Sequence, residues 1–256
     1  MKAFYLLLTA LLLYPALSFS QFFTIDTLRD ESPYNKEFSF VFPVLKSTAK
    51  QDVATAINND LISNVLKIEP GEQKRSLFEN IWGKKEMDIP EVSDISFKVI
   101  NNDADFLCIS ISATECTDVC ENWTRYYTYD GASGKKVTLG DVFNGAGVQM
   151  LVDSAKGLKG QRIQEYTDTL KFALNKKALS DDDKKAYNYA IAAYDRCKQN
   201  FDPANVYSMD KAQVTLHIAH CLPYDIQFLD KIDRSFTFDL RGLQNYLTDY
   251  GKSLTK

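Results

Sequence analysis

Three consecutive segments in the middle of the chain alternate apolar and polar residues, and they constrain the fold more than any other feature of the sequence. They read DISFKVIN at 94–101, DFLCISISA at 105–113 and NWTRYYTYD at 122–130. Successive side chains of a β-strand point to opposite faces, so a two-residue period predicts strands with one buried face. The second and third segments are joined by a short loop, which predicts an antiparallel hairpin. We therefore expect a β-sheet at the centre of the fold.

Helical patterns flank these strands on both sides. An early strand at 38–45 leads into a helix that Ser47 would cap, with apolar residues every four positions from Val53 to Val65. A turn cluster, Asp130 to Gly134, follows the hairpin. Further helices are predicted at 74–82, 147–156 and 162–179, from Ser180 onward and at 241–251, and further strands at 213–220 and 235–240.

This order of elements predicts the fold class. Runs of strands and runs of helices that are segregated along the chain are typical of an α+β fold, here a largely antiparallel β-sheet packed with several α-helices. No linker divides the chain after residue 20, so we expect one domain at 21–256. Within it we distinguish an N-terminal strand–helix–hairpin part at about 36–143 and a C-terminal helical and strand part at about 144–256.

The first twenty residues predict export. Lys2 precedes an apolar run from Ala3 to Leu17, and Ser18-Phe19-Ser20 supplies the small residues that signal peptidase recognises. We expect a signal peptide at 1–20, no membrane span after its removal, and a periplasmic or secreted mature chain. An uncleaved anchor is the alternative, although the apolar run is short for a span of about 20 residues.

Export gives the five cysteines an oxidising environment, in which disulfides form. An odd number leaves at least one cysteine without a partner in the chain. Cys116 and Cys120 could close a small local loop, and Cys197, at the end of a predicted helix, could pair with Cys221, which follows a predicted strand. Cys108 lies in the middle of a strand and is expected to be buried and free. Other pairings stay open at this point.

Charge and motif content argue against several function classes. Without Lys2 the chain has 29 basic and 34 acidic residues, a net charge of −5 with no basic stripe, so we expect no nucleic-acid partner. His217 and His220 are the only histidines, and no G-x-S-x-G motif accompanies them. Strand alternation would point these two side chains to opposite faces, which disfavours a metal site. We therefore predict no catalytic residues, no metal and no cofactor.

One face of the third alternating segment is the best candidate for ligand binding. It carries Trp123, Arg125, Tyr127 and Tyr129, and aromatic and arginine side chains dominate binding hot spots and stack on sugar rings. The alternative is that this row packs in the core beneath helices. Paired carboxylates acting on a glycosidic bond also stay open, because any two of the 34 acidic residues could converge in the fold, although no local motif favours a particular pair.

The segment YYTYDGASGKKVTLGDVF at 126–143 resembles a known family pattern: a strand, then "DxxTGK", then "LTLxDLF". The family is the RsiV-like/PdaC-like extracytoplasmic domain of bacterial envelope proteins. The strand and helix at 38–68 are similar to its N-terminal half, and HCLPYDIQFLDKIDRSFTFDLRGLQNYL at 220–247 is similar to its C-terminal end. The resemblance covers most of the mature chain. The sequence departs from it at ATECTDVCEN, 113–122, where many members have a "GGAHG"-like loop.

The resemblance implies binding rather than chemistry. RsiV-type receptors bind lysozyme outside the cell, and PdaC-type proteins carry a similar domain beside a separate peptidoglycan deacetylase domain. We therefore expect an exported, non-enzymatic binding module of the envelope, whose ligand is a lysozyme-like or other envelope protein or a cell-wall glycan such as a peptidoglycan fragment. The departing loop leaves the ligand open. A hydrolase acting on envelope glycans is the alternative, and a purely structural secreted protein is a third.

Overall fold

The computed structural model describes residues 22–33, 36–79, 81–82, 91–116, 120–176, 179–198 and 206–255. The predicted signal peptide and its cleavage site after Ser20 lie outside the described residues, as does the tip of the cysteine loop at 117–119.

The larger of two β-sheets has five strands in the order β1-β2-β3-β4-β5. Their bounds are β1 Thr24–Glu31, β2 Ser39–Lys46, β3 Val92–Asn102, β4 Phe106–Cys116 and β5 Cys120–Asp130. All neighbours are antiparallel except β2 and β3, which are parallel. Strand β1 has no counterpart among the sequence predictions, because none of its residues is buried and its polar, charged sequence shows no apolar face.

The predicted central hairpin is confirmed, since β4 and β5 pair without a register shift from Phe106 opposite Asp130 to Cys116 opposite Cys120. Their two faces enter different apolar clusters. Leu107, Ile109 and Ile111 pack with strand β2 and the first helix, and Cys108 packs with the C-terminal strands. The hairpin therefore lies between two cores, with one face in each.

The second sheet has three antiparallel strands in the order β6-β7-β8. They are β6 Tyr207–Met209, β7 Gln213–His217 and β8 Ser235–Asp239. Strand β7 ends at His217, three residues before the predicted end. The apolar face of this sheet, Val214, Leu216 and Phe236, packs against Phe106 of β4. The second sheet therefore covers the face of the hairpin that points away from the first helix.

The helices confirm some predicted bounds and correct others. In chain order they are α1 Gln51–Leu61 with a π-helical turn at Ile62–Leu66, α2 Leu139–Val142, α3 Gly145–Leu174, α4 Asp181–Cys197, 3-10 helices at Tyr224–Leu229 and Leu240–Tyr246, and α5 Asp249–Ser253. Ser180 caps α4 as predicted, its side chain accepting from Asp183 N. Ser47 does not cap α1, which begins later; its hydroxyl accepts from Lys50 N, at the N-cap.

Three further helix predictions were wrong. One continuous helix, α3, replaces the two predicted on either side of Gly157 and Gly160. A Cβ at either glycine would face open space, so their cost of roughly 0.5–1 kcal/mol each is small beside the burial of Leu151 and Ile163 on the same helix. The predicted closing helix is a 3-10 helix followed by a short α-helix, and the described part of 74–82 forms turns instead of a helix.

The fold class is α+β, as predicted, with sheets in which antiparallel pairs dominate. Disulfides join Cys116 to Cys120 and Cys197 to Cys221, and Cys108 is buried and free. This is the pairing that the sequence favoured. Two disulfides are typical of chains that mature in an oxidising compartment. The second cluster contains residues from both predicted parts of the domain, and the boundary near residue 143 stays a prediction.

Candidate functional site: a cleft along the edge of strand β5

A cleft of about 530 Å³ lies between strand β5 and the end of the second sheet. One wall is formed by six consecutive residues, Glu121 to Tyr126. The other wall comes from the end of β7, the segment that follows it, and the start of β8. Its members include His217, His220, Leu222, Pro223, Arg234 and Ser235.

The first wall shows that the cleft runs along the edge of the sheet. Side chains of a strand alternate between its faces, so a cleft over one face would be lined by every second residue. Here both parities line it from Glu121 to Tyr126. The strand order places β5 at one end of the larger sheet. The cleft therefore follows the open side of β5.

The second wall is fixed by a disulfide and by burial. Cys221 is bonded to Cys197 at the end of α4. Leu222 and Ile226 are buried in a cluster with Tyr194 of α4 and Ile163 of α3. The segment after β7 has little regular structure of its own, and these attachments hold it in place beside β5.

His217 joins the two walls. Its ring stacks on Tyr126 of β5, with centroids 3.8 Å apart and an interplanar angle of 5°. Its Nε2 lies 2.9 Å from the Ser208 hydroxyl and its Nδ1 lies 3.3 Å from that of Ser235. Burial, reinforced by the charge of Arg234, lowers the pKa of His217 to about 4. The imidazole is therefore neutral at pH 7 and serves as a hydrogen-bonded support for Tyr126.

His220 has a different environment, since it is one-third exposed and oriented by a buried carboxylate. Its Nδ1 lies 2.8 Å from Asp230 Oδ2, and the side chain of Asp230 is 5% exposed. The Tyr194 hydroxyl donates to the other carboxylate oxygen at 2.8 Å. Burial and this bond to Asp230 raise the pKa of Tyr194, so it stays protonated. A carboxylate on Nδ1 favours the tautomer whose Nε2 accepts hydrogen bonds.

Two guanidinium groups line the cleft. Arg125 lies over the Trp123 ring, 4.1 Å from its centroid, and contacts Glu115 at 3.2 Å. Arg234, on the opposite wall, is 4.0 Å from the nearest Asp230 oxygen. Glu121 is the single carboxylate among the described lining residues. The lining itself therefore carries two arginines against one glutamate, and Glu115 and Asp230 outside the lining neutralise part of the arginine charge.

The predicted binding row is divided by the structure. Trp123 and Arg125 line the cleft. Tyr127 and Tyr129 do not, and this corrects the prediction for them: they are 4% and 0% exposed in the first core. The Tyr129 hydroxyl donates to Asp60 of α1 at 2.6 Å. The alternation was interpreted correctly, but α1 covers only one end of the row, so its exposure changes along the strand.

Most residues of the cleft were not among the predicted binding residues, and the most informative of these are Tyr126, His217, His220 and Arg234. Tyr126 lies on the opposite face of β5 from the predicted row, and the other three are 91 or more positions away in sequence. No local spacing relates them to β5. Only the resemblance at 126–143 and 220–247 included both regions, and it carried no statement about their contact.

Within the described residues, no cluster of three or more His, Cys, Asp or Glu side chains could hold a metal ion. Likewise, no helix in the described ranges has the length and apolarity needed to cross a bilayer.

Comparisons with known proteins show the fold. No family model matches this chain, and no curated protein matches it. A crystal structure of a DUF3298 family member from Bacteroides fragilis superimposes with a TM-score of 0.51 at 12% identity, covering 89% of this chain and 94% of that one. A DUF3298 family protein from Pseudomonas aeruginosa gives a TM-score of 0.47 at 10% identity, with the same two coverages. The chain therefore shares its fold with the Bacteroides protein over nearly its whole length.

Proposed function

We propose that this chain is an exported binding module of the bacterial envelope, related to the RsiV-like/PdaC-like domains, and that its ligand is an envelope protein or a cell-wall glycan held in the cleft along β5. The single observation that carries this proposal is the composition of the cleft. Trp123 and Tyr126 offer aromatic surface, and Arg125 and Arg234 offer cationic hydrogen-bond donors. Such side chains are the usual anchors of binding surfaces.

The same composition disfavours the glycosidase alternative. Glycoside hydrolysis generally uses two carboxyl groups about 5–9.5 Å apart on either side of the bond. The described lining of the cleft contributes one, Glu121, which is exposed. The two disulfides agree with a periplasmic or secreted location.

One feature favours a hydrolase as the second candidate. His220 lines the cleft and its Nδ1 is held by buried Asp230, which is the arrangement of a general base. A hydrolase that used this pair would lose turnover in His220→Gln, a variant that retains a polar side chain of similar size.

The test uses the mature chain, residues 21–256, immobilised and offered an envelope extract, lysozyme and soluble peptidoglycan fragments. Mass spectrometry identifies what is retained and whether the fragments become shorter. Trp123→Ala is the test variant. Phe172→Ala is its matched control, because Phe172 is an aromatic residue 68% exposed on α3, away from the cleft.

A ligand retained by the wild type and the control but lost in Trp123→Ala supports the proposal. Equal retention by all three proteins places binding elsewhere on the surface and contradicts the assignment to the cleft. Fragments that are shortened by the wild type but not by His220→Gln would establish the hydrolase instead.

A further inference from the structure

We propose that the ligand of the cleft is an extended peptide segment of a partner protein, rich in acidic side chains, which adds to the sheet as a strand beside Asn122–Tyr126 of β5. This inference rests on the proposed function and deepens it, because it chooses a polypeptide over a glycan. Strand addition to an exposed sheet edge is a common mode of peptide recognition, in which backbone hydrogen bonds give affinity and side-chain pockets give selectivity.

The outward backbone groups of β5 can be assigned from its neighbours. The Thr128 carbonyl oxygen accepts from Val137 N at 2.8 Å, and Asp130 N donates to the Lys135 carbonyl at 2.9 Å. Thr128 and Asp130 therefore point their backbone groups away from β4. In a regular antiparallel strand this direction alternates with every residue.

The same direction holds further along β5. Its pairing with β4 has no register shift between Cys120 and Asp130, so Asn122, Thr124 and Tyr126 also point their N–H and C=O groups outward. Among the described residues, no backbone group of another segment bonds to this stretch of the edge. Three donors and three acceptors thus face the cleft over about 13 Å, at roughly 3.3 Å per residue.

A short segment of the chain already pairs with the outer edge of β5. Lys136 forms an antiparallel bridge with Tyr129, directly beyond the free stretch. The chain leaves the edge after Val137, because Thr138 begins the capping box of α2. A guest strand in the same antiparallel direction would continue this short ladder toward Asn122.

The edge of the second sheet, strand β8, is covered by a side chain, unlike the edge of β5 within the described residues. Arg162 of α3 donates to the Ser235 carbonyl at 2.9 Å and to the Asp233 carbonyl at 2.7 Å, on the outer side of the edge strand β8. Proteins usually cover, charge or interrupt such edges because they pair with other chains. From Cys120 to Tyr126, β5 contains no proline and no bulge, and no comparable side-chain cover reaches it from the described residues.

The charge of the walls selects the guest. Arg125 and Arg234 line the cleft together with the single carboxylate of Glu121. Each guanidinium already contacts one carboxylate, Glu115 or Asp230, but a guanidinium has five N–H donors and can bind a second acidic group. A strand added to the edge of β5 points its side chains alternately to the two faces of the sheet. Arg125 lies over Trp123 on one face, and Arg234 acts on Tyr126, which points to the other face. Acidic side chains on the two faces of the guest would therefore each approach one guanidinium.

The experiment offers labelled mature protein to an array of random-sequence linear nonapeptides and, in parallel, to soluble peptidoglycan fragments. Thr124→Pro removes one outward N–H without removing a bond to β4. Its matched control is Thr237→Pro in β8. Like Thr124, Thr237 is exposed and its hydroxyl contacts a hydroxyl on the neighbouring strand, that of Thr215. Its backbone N–H likewise points away from the neighbouring strand.

We expect the wild type and Thr237→Pro to retain peptides enriched in Asp and Glu, and Thr124→Pro to bind the same peptides roughly tenfold more weakly, as for one lost backbone hydrogen bond with its partner left unpaired. Adding a retained peptide should slow amide hydrogen exchange at Asn122, Thr124 and Tyr126 in the wild type. This second measurement does not depend on any variant folding.

Four results would overturn the inference, and they can be distinguished from one another. Retention of peptidoglycan fragments without any peptide would refute strand addition while the proposed binding function stands. Retention of neither class would count against both. Peptide binding with no slowing of exchange at the three outward amides would place the peptide elsewhere on the surface, and self-association that Thr124→Pro abolishes would identify a second copy of this chain as the guest.

Discussion

The Cys197–Cys221 disulfide is predicted to contribute more to stability than Cys116–Cys120, although both are single bonds in one chain. A disulfide stabilises mainly by restricting the unfolded chain, and the effect grows with the logarithm of the loop that it closes. The two pairs are 24 and 4 residues apart. The loop-entropy relation gives about 3.5 kcal/mol for the longer loop and about 2 kcal/mol for the shorter one at 25 °C.

The assay compares two double variants with the wild type in urea at equilibrium. Cys197→Ser with Cys221→Ser should lower the free energy of unfolding by about 3.5 kcal/mol, or roughly 7–14 °C in Tm for a chain of this size. Cys116→Ser with Cys120→Ser is the control, and its free energy of unfolding should fall by about 2 kcal/mol, which is about 1.5 kcal/mol less than for the first variant. Both retain the buried thiol of Cys108.

The longer disulfide also fixes one wall of the cleft, so its removal should weaken ligand retention as well as stability. Leu222 follows Cys221 directly and is buried in the same cluster as Tyr194. Equal losses of stability in the two variants, or a larger loss in the control, would refute the loop-entropy reasoning. Full ligand retention by the Cys197/Cys221 variant would refute the role assigned to this wall.

Other predictions concern single side chains. Gly251→Ala should cost about 1–3 kcal/mol of unfolding free energy in urea, because a Cβ there would overlap the carbonyl oxygen of Val142. Gly157→Ala should instead stabilise the protein by about 0.5–1 kcal/mol, because a Cβ at this helical position faces open space. A more stable Gly251→Ala than Gly157→Ala variant would contradict the packing. Tyr129→Phe should cost about 1–3 kcal/mol in the same assay, because it removes the donor to a carboxylate of α1; no loss would mean that water satisfies that carboxylate. His217 has its pKa lowered from 6.5 to about 4 on folding, so between these values the unfolded chain binds a proton that the folded one excludes, and stability is full above about 6.5 and falls as pH drops toward 4. The stability advantage of the wild type over His217→Gln should therefore shrink across that range, and a constant difference would refute the assignment.

Much of the fold could be predicted from the sequence because the signals are local. The two-residue period of β4 assigned Leu107 and Ile109 to one face and Cys108 to the other, and the structure buries them in two separate clusters. Ser180 before three aspartates predicted the start of α4. These patterns depend on neighbours within a few positions, so they can be interpreted without knowledge of the tertiary fold.

The wrong predictions have two physical causes. In α3, burial of apolar side chains outweighed the low helix propensity of glycine, and in β1 a strand forms although none of its residues is buried. Gly157 and Gly160 suggested a break, yet packing on both sides keeps α3 continuous. Strand β1 has no apolar face, so nothing in its sequence distinguished it from a loop; its pairing with β2 forms it.

The sequence by itself determined the fold class, the central hairpin, the favoured disulfide pairing and the shared face of Trp123, Arg125, Tyr127 and Tyr129. Only the tertiary structure decided what covers that face and which strand lies at an edge. A period identifies which side chains point together, but the partner of a face or an edge can come from any distance along the chain. Here Tyr126 stacks on His217, which is 91 positions away in the sequence. No local pattern predicts this contact, which joins the two walls of the cleft.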